Sequence, residues 1–217
     1  MTEPNFTRNV VRDAGYIDWQ TKRISFVLEK YGNDFFKGKK VLELGCFFGG
    51  ISQMLHNLGA DLTSVEGFPA NYETCKQRYP HINFLLKDLD NNIWEFDEHY
   101  DIIIHWGLLY HLQYPVASVV HCLGHCDYFF LETLIINHSS IKLEHVPEKN
   151  IWNTDQSIHS SGTRFTAKLV EFLFRDRSFV RYDDSKLNSG YQPHYDIPEA
   201  DTNAIIRRFW VVTCRPS

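Results

Sequence analysis

The sequence predicts an α/β fold: a doubly wound, mostly parallel sheet with helices on both faces and an antiparallel hairpin at the C-terminal side. Three observations carry that expectation. Residues 41–50 (VLELGCFFGG) read as buried strand, glycine turn and helix start. From Val41 to about Ile136, strand-like apolar runs alternate with helical stripes, the pattern of a parallel sheet. Two further strand-like runs follow the last helical stripe with no helix between them, which requires an antiparallel pair.

In chain order, Ile24, Val27, Leu28 and Tyr31 form an apolar stripe, so a helix is expected from about Trp19 to Tyr31, ended by Gly32 and Asn33. Val41, Leu42 and Leu44 make the first strand, with Glu43 near its end. After Gly45 and Gly49, Ile51, Met54, Leu55 and Leu58 recur at helical spacing, and Gly59 suits a C-terminal cap. Residues 62–66 (LTSVE) are a second strand, and Pro69 suits the first turn of the next helix. Residues 82–86 and 100–105 supply the third and fourth strands. A helix from Pro115 to Gly124 then leads into a fifth strand over 127–136. The stretch 137–162 is long, polar and irregular, as functional insertions often are. A helix is expected to start at Thr163 or Arg164, followed by a short strand at 178–182, a second irregular stretch at 184–203 and a long final strand at 205–214.

The chain of 217 residues suits one domain, 1–217, with residues 1–37 as a helical N-terminal extension and 137–162 and 184–203 as substrate-side insertions. A net charge of −5 excludes a global basic field that would draw it to nucleic acid or an anionic membrane. Five cysteines without framework spacing argue against a secreted disulfide scaffold. With no signal-peptide pattern and no apolar run long enough to span a bilayer, the expected location is cytoplasmic, with no membrane partner.

The glycine turn narrows the ligand. A dinucleotide site wants glycine at position 47, so that backbone can approach a pyrophosphate; Phe47 stands there instead. A nucleoside without phosphates makes no such demand. Glu66 ends the second strand 21 positions after Gly45, where a carboxylate can accept from both ribose hydroxyls. Asp88, after the third strand, can accept from an adenine amino group, and Glu43 can face the amino end of an amino-acid-bearing nucleoside.

The set Glu43-Leu-Gly45-Cys46-x-x-Gly49, Glu66 and Lys87-Asp88-Leu89, with the two closing strands, resembles the class I S-adenosylmethionine-dependent methyltransferases from about residue 38 onward. The resemblance implies a Rossmann-like class I methyltransferase fold with a mostly parallel seven-stranded sheet, S-adenosyl-L-methionine as cofactor, and transferase activity. It implies cofactor contacts from Glu43, Gly45, Cys46, Phe47, Gly49, Glu66, Gly67, Phe68, Asp88, Leu89, His105 and Trp106. Phe47 departs from the pattern of many members. Residues 105–115 (HWGLLYHLQYP) are similar to the G-x-LYHL-x-x-P segment of a branch that contains small-molecule methyltransferases and tRNA wobble-uridine carboxymethyl-transferring enzymes.

Methyl transfer from a sulfonium mainly requires holding nucleophile and methyl in line, and a base only for a protonated nucleophile. His105, Tyr110 and His111 lie nearest that point, with His111 the candidate base; the competing reading makes Tyr110 and His111 packing residues at a helix start. Trp152, His159, Arg164, Tyr191, His194 and Tyr195 are the substrate-side candidates, and Tyr16 and Trp19 the residues placed to close over the cofactor. The cluster His121, Cys122, His125, Cys126 lies at the wrong end of the sheet and spans a helix end, so no metal is expected. The favoured acceptor is a small molecule, with RNA second, through a wobble-uridine-type enzyme using a carboxylated cofactor. That second reading requires an extra cationic group near the methyl, which the sequence does not identify. A third reading is a protein that binds or degrades S-adenosylmethionine without methyl transfer. No oligomeric state follows from the sequence.

Overall fold

The computed structural model describes residues 14–148, 157–190 and 194–214. Trp152 and Tyr191 lie outside the described residues. Helix α1 (Ala14–Tyr31) precedes β1 (Lys40–Leu44), α2 (Gly50–Asn57), β2 (Asp61–Glu66), α3 (Pro69–Arg78) and β3 (Asn83–Leu86). The short α4 (Leu89–Asn92) is followed by β4 (Tyr100–Trp106), a 3-10 turn (Leu109–His111), α5 (Pro115–Gly124) and β5 (Cys126–Ile136). Then come β6 (Leu143–Pro147), β7 (Ser161–Phe165), α6 (Ala167–Leu173), β8 (Ser178–Tyr182) and β9 (Ile205–Thr213).

The main sheet has seven strands in the order β3-β2-β1-β4-β5-β9-β8. The first five are parallel, while β9 runs antiparallel to both β5 and β8. This is the sheet the alternating pattern predicts. Its central strands are buried on both faces, so they read as continuous apolar runs such as Ile102–Ile104. Each face carries its own apolar layer. One, against α1 and α2, includes Val27, Leu55, Ile102, Ile104, Trp106 and Phe209; the other, against α5 and α6, includes Ile103, Val119, Phe129, Val170 and Trp210. The order of connection reverses between β1 and β4, and the crevice beyond the carboxyl ends of these strands is where open α/β sheets hold ligands.

The expectation for 137–165 needs correction. Within the stretch read as irregular, β6 pairs antiparallel with β7, from Leu143 opposite Phe165 to Pro147 opposite Ser161. Thr163 and Arg164 are strand residues, and the helix begins at Ala167. The Thr163 hydroxyl donates to Leu112 O at 3.1 Å, which fixes this segment against the turn after β4. The exposed, polar β6 (LEHVP) has no apolar alternation to betray it. The second insertion packs along α1: Lys22 donates to Asn188 O at 2.6 Å and Lys186 pairs with Glu29 at 2.5 Å. No helix among the described residues is long and apolar enough to cross a membrane.

Candidate functional site

A cleft opens at the carboxyl ends of β1, β2 and β4, with an empty volume of about 1100 Å³ including open solvent at its mouth. The glycine turn forms its floor. Gly45 has φ +74°, and a Cβ there would meet the Leu108 side chain at 3.0 Å. Phe47 also takes a left-handed conformation, φ +54°, which is strained for a bulky side chain. That geometry turns its amide toward Glu66, which accepts from Phe47 N–H at 2.8 Å through Oε2 and from Phe68 N–H at 2.9 Å through Oε1. Burial pushes the Glu66 carboxyl up to about 7 against these hydrogen bonds. A Cβ on Gly67 would fall 2.3 Å from Ile158 Cδ1, so the Ile158 side chain packs directly over the glycine.

Glu43 is buried at the inner end, where its Oε2 accepts from Ser52 Oγ at 2.5 Å and Ser64 Oγ at 2.8 Å; burial raises its pKa despite both. The far wall is Leu89 and Asp90. Asp90 accepts from Gln113 N–H at 2.9 Å and Tyr114 N–H at 3.0 Å, tying α4 to the loop after β4.

Helix α1 covers the inner end with Tyr16, Trp19, Gln20 and Arg23. Behind it lies a buried charge system. Glu132 is fully buried and accepts from Arg207 at 2.7 Å, Tyr195 OH at 3.0 Å and Arg23 at 3.4 Å. Tyr195 OH in turn accepts from Trp19 Nε1 at 2.7 Å. Arg207 also donates to Tyr110 OH at 3.3 Å, and the Arg23 guanidinium stacks 3.7 Å from the Trp19 ring centroid. Two guanidinium groups share the Glu132 carboxylate, and both arginines reach the cleft wall.

At the mouth, His111 Nδ1 lies 2.5 Å from Glu148 Oε2, and Arg164 donates to Glu148 Oε1 at 3.0 Å.

Of the residues singled out from sequence, Glu43, Gly45, Cys46, Phe47, Glu66, Gly67, Phe68, Leu89, Trp106, Tyr110 and His111 line the cleft, as do Tyr16 and Trp19. Others lie elsewhere. His105 faces the opposite side of β4 from Trp106, because side chains alternate along a strand; it is fully buried and meets Ser118 Oγ at 3.1 Å. Asp88 caps α4, accepting from Asp90 N–H at 3.1 Å, and its other oxygen meets His159 Nε2 at 2.9 Å. Gly49, φ +76°, caps α2 behind the turn. Arg164 lies behind Glu148 and Tyr195 behind Trp19, while His194 is exposed and offers its carbonyl to Arg207 N–H at 3.3 Å. Gln20, Arg23, Asp90, Glu132 and Glu148 escaped the sequence reading, and Arg207 reads there as one of a loose basic set with Arg175, Arg177, Arg181 and Arg208 on a solvated face, whereas it is buried. Glu132 and Arg207 both left a signal, as charges inside largely apolar strands.

Among the described residues, Asp88, Asp90 and His159 bring ligand-type atoms within 4.8 Å of one another. Their carboxylates already accept backbone amides, so the cluster is accounted for as a cap and a tether. His121 bonds Phe96 O at 2.8 Å, and the Cys126 thiol donates to Cys122 O at 3.1 Å.

No family model matches the chain. Over an alignment of 155 positions it is 29% identical to a tRNA U34 carboxymethyltransferase of Pseudomonas putida (strain GB-1), covering 62% of this chain and 45% of that protein. It is 25% identical over 107 positions to a ubiquinone biosynthesis O-methyltransferase of Yersinia pestis (strain Pestoides F), covering 46% and 42%. The chain thus spans less than half the length of these curated relatives. Its structure is similar to that of the plantazolicin methyltransferase BamL, solved in complex with a triazolic desmethylPZN analog and SAH, at TM-score 0.61 and 16% identity over 96% of this chain and 89% of that one. At that identity the likeness shows the fold, which is the Rossmann-like fold of class I methyltransferases.

Proposed function

We propose that the chain transfers a methyl group from S-adenosylmethionine to a small-molecule acceptor. One observation carries the reading: Glu66 ends β2 with both oxygens anchored by the amides of Phe47 and Phe68, at the rim of a cleft floored by the glycine turn. A carboxylate has lone pairs beyond those two, so it can still accept from a pair of vicinal ribose hydroxyls. In this reading Gly45, Cys46 and Phe47 carry the backbone under the nucleoside, and Gly67, Phe68 and Leu89 flank the adenine. Asp90 supplies the polar group at the adenine edge, with Asp88 acting through its cap. Glu43 and Arg23 serve the amino and carboxylate ends of the methionine portion. Trp106, Tyr110 and His111 surround the methyl, with His111 as base and Tyr110 as orienting group.

Since sulfonium is a good leaving group, the protein's work is alignment and exclusion of water. Isothermal calorimetry with S-adenosylmethionine and S-adenosylhomocysteine tests cofactor binding. A methyl-label screen against a metabolite extract and total RNA tests transfer. Absence of binding refutes the reading; binding with cofactor breakdown and no labelled acceptor points instead to a degrading enzyme.

A second reading, wobble-uridine modification of tRNA with a carboxylated cofactor, gains support from Arg207. Its guanidinium, beside Tyr110 OH and in the cleft wall, is the kind of cationic group a carboxylate on the transferred carbon requires. The relatives named for tRNA U34 carboxymethyl transfer favour the same reading. Label appearing in RNA rather than in metabolites would select it. The expected place of action under either reading is the cytoplasm.

A further inference from the structure

We propose that Glu148 is a positioning residue for His111, holding its imidazole with the proton on Nδ1 so that Nε2 takes the proton of a hydroxyl acceptor. The inference rests on the methyl-transfer reading and deepens it by naming the acceptor class.

The pair is built from separate parts of the chain. His111 ends the 3-10 turn after β4, while Glu148 directly follows β6 and is brought there by the pairing of β6 with β7. The approach depends on Gly162: a Cβ there would fall 2.3 Å from Tyr110 O and 2.8 Å from Glu148 Oε1. Glu148 is held at both oxygens, by His111 Nδ1 at 2.5 Å and by Arg164 at 3.0 Å, and Arg164 also donates to Tyr110 O at 3.1 Å. Burial works against the Glu148 charge, and the bonds from His111 and Arg164 more than offset it, so its carboxyl sits below the usual range. A carboxylate can only accept, so the bonded nitrogen is the one that carries hydrogen. Nε2 has no protein partner among the described residues, and the ring lines the cleft.

A packing histidine needs no carboxylate fixed at two points. A base does, because the carboxylate stabilises the imidazolium as it forms. As the acceptor oxygen bonds to the methyl carbon, its proton passes to His111 Nε2. The carbon–sulfur pair returns to sulfur, and S-adenosylhomocysteine leaves as a neutral thioether. The imidazolium then gives its proton to water at the mouth. The titratable and charged groups around the ring are Glu148 and Arg164 from the β6–β7 side and Tyr110, its ring tilted at 48° with centroids 4.1 Å apart, with Arg207 beyond Tyr110 and Asp90 bound to the amides of Gln113 and Tyr114 in the same loop.

The test is ¹⁵N imidazole NMR of the full chain through a pH titration, with His111→Gln to assign the signals. The neutral wild-type ring should show Nδ1–H and bare Nε2. Glu148→Gln should raise the share of the Nε2–H tautomer, since a neutral amide no longer obliges Nδ1 to carry the hydrogen. Glu148→Ala serves if the first variant does not fold. An Nε2–H tautomer in the wild type, or a tautomer that both variants leave unchanged, overturns the assignment. Calorimetry with S-adenosylmethionine on the same wild-type sample separates failures: no binding refutes the methyl-transfer reading, whereas the tautomer judges Glu148 alone. If the label screen yields products, methyl on oxygen supports the acceptor class and methyl on carbon or sulfur overturns it.

Discussion

Phe47 N–H donates to Glu66 Oε2 at 2.8 Å, so the strained residue of the glycine turn also orients the carboxylate that ends the next strand. Two landmarks 19 positions apart in sequence are one structural unit. Glu66→Ala should weaken S-adenosylmethionine binding tenfold or more, about 1.4 kcal/mol, since hydrogen bonds to a charged group are lost. Calorimetry reads this directly, and unchanged affinity removes Glu66 from the ribose.

The Glu66 carboxyl also sets a pH dependence. Burial raises it from 4.5 to about 7, so between those values the folded chain keeps a proton that the unfolded chain has shed. The contribution of this group to stability is therefore present below pH 4.5 and falls as pH rises through about 7. Glu66→Gln should abolish that component. Thermal unfolding from pH 5 to pH 8 should show the wild type losing ground to the variant, and parallel curves would contradict the assignment. Cofactor affinity should move the opposite way, rising as the carboxylate forms.

Glu132 accepts from Arg23, Arg207 and Tyr195 at the inner end of the cleft. Glu132→Ala should cost about 3–5 kcal/mol in denaturant unfolding, because it strands buried cations. Tyr195→Phe should cost less, about 1–3 kcal/mol, by removing the hydroxyl that links Trp19 Nε1 to Glu132. The ranking is the prediction: a milder Glu132→Ala would mean that water compensates the arginines.

Gly45→Ala meets two obstacles, a φ of +74° and the Leu108 side chain at 3.0 Å. Left-handed backbone alone costs a residue with a Cβ about 1–2 kcal/mol. Relieving the contact shifts the turn, so S-adenosylmethionine affinity should fall along with the unfolding midpoint. Loss of stability with full affinity would show that the turn does not touch ligand.

Much of this architecture was legible from local pattern. The first five strands, the closing hairpin and the turn residues follow from apolar periodicity and glycine placement, and these signals survive because the central strands are buried on both faces. The β6–β7 pair was not legible, since its strands are short and β6 is exposed and polar. Nor was the side of β4 on which His105 falls, because a one-residue change of phase exchanges it with Trp106.

By itself, then, the sequence determined the order and kind of the main elements and set Glu43, Gly45 and Glu66 at strand ends, where connectivity alone brings them together. Only the tertiary structure decided what surrounds them. Arg207 from the last strand meets Tyr110 across 97 positions, and Glu148 meets His111 across 37. Such partners depend on strand register and on the close approach that Gly162 permits. Charge pairing between distant segments leaves no periodic trace in the chain, so it becomes visible only once the sheet is assembled.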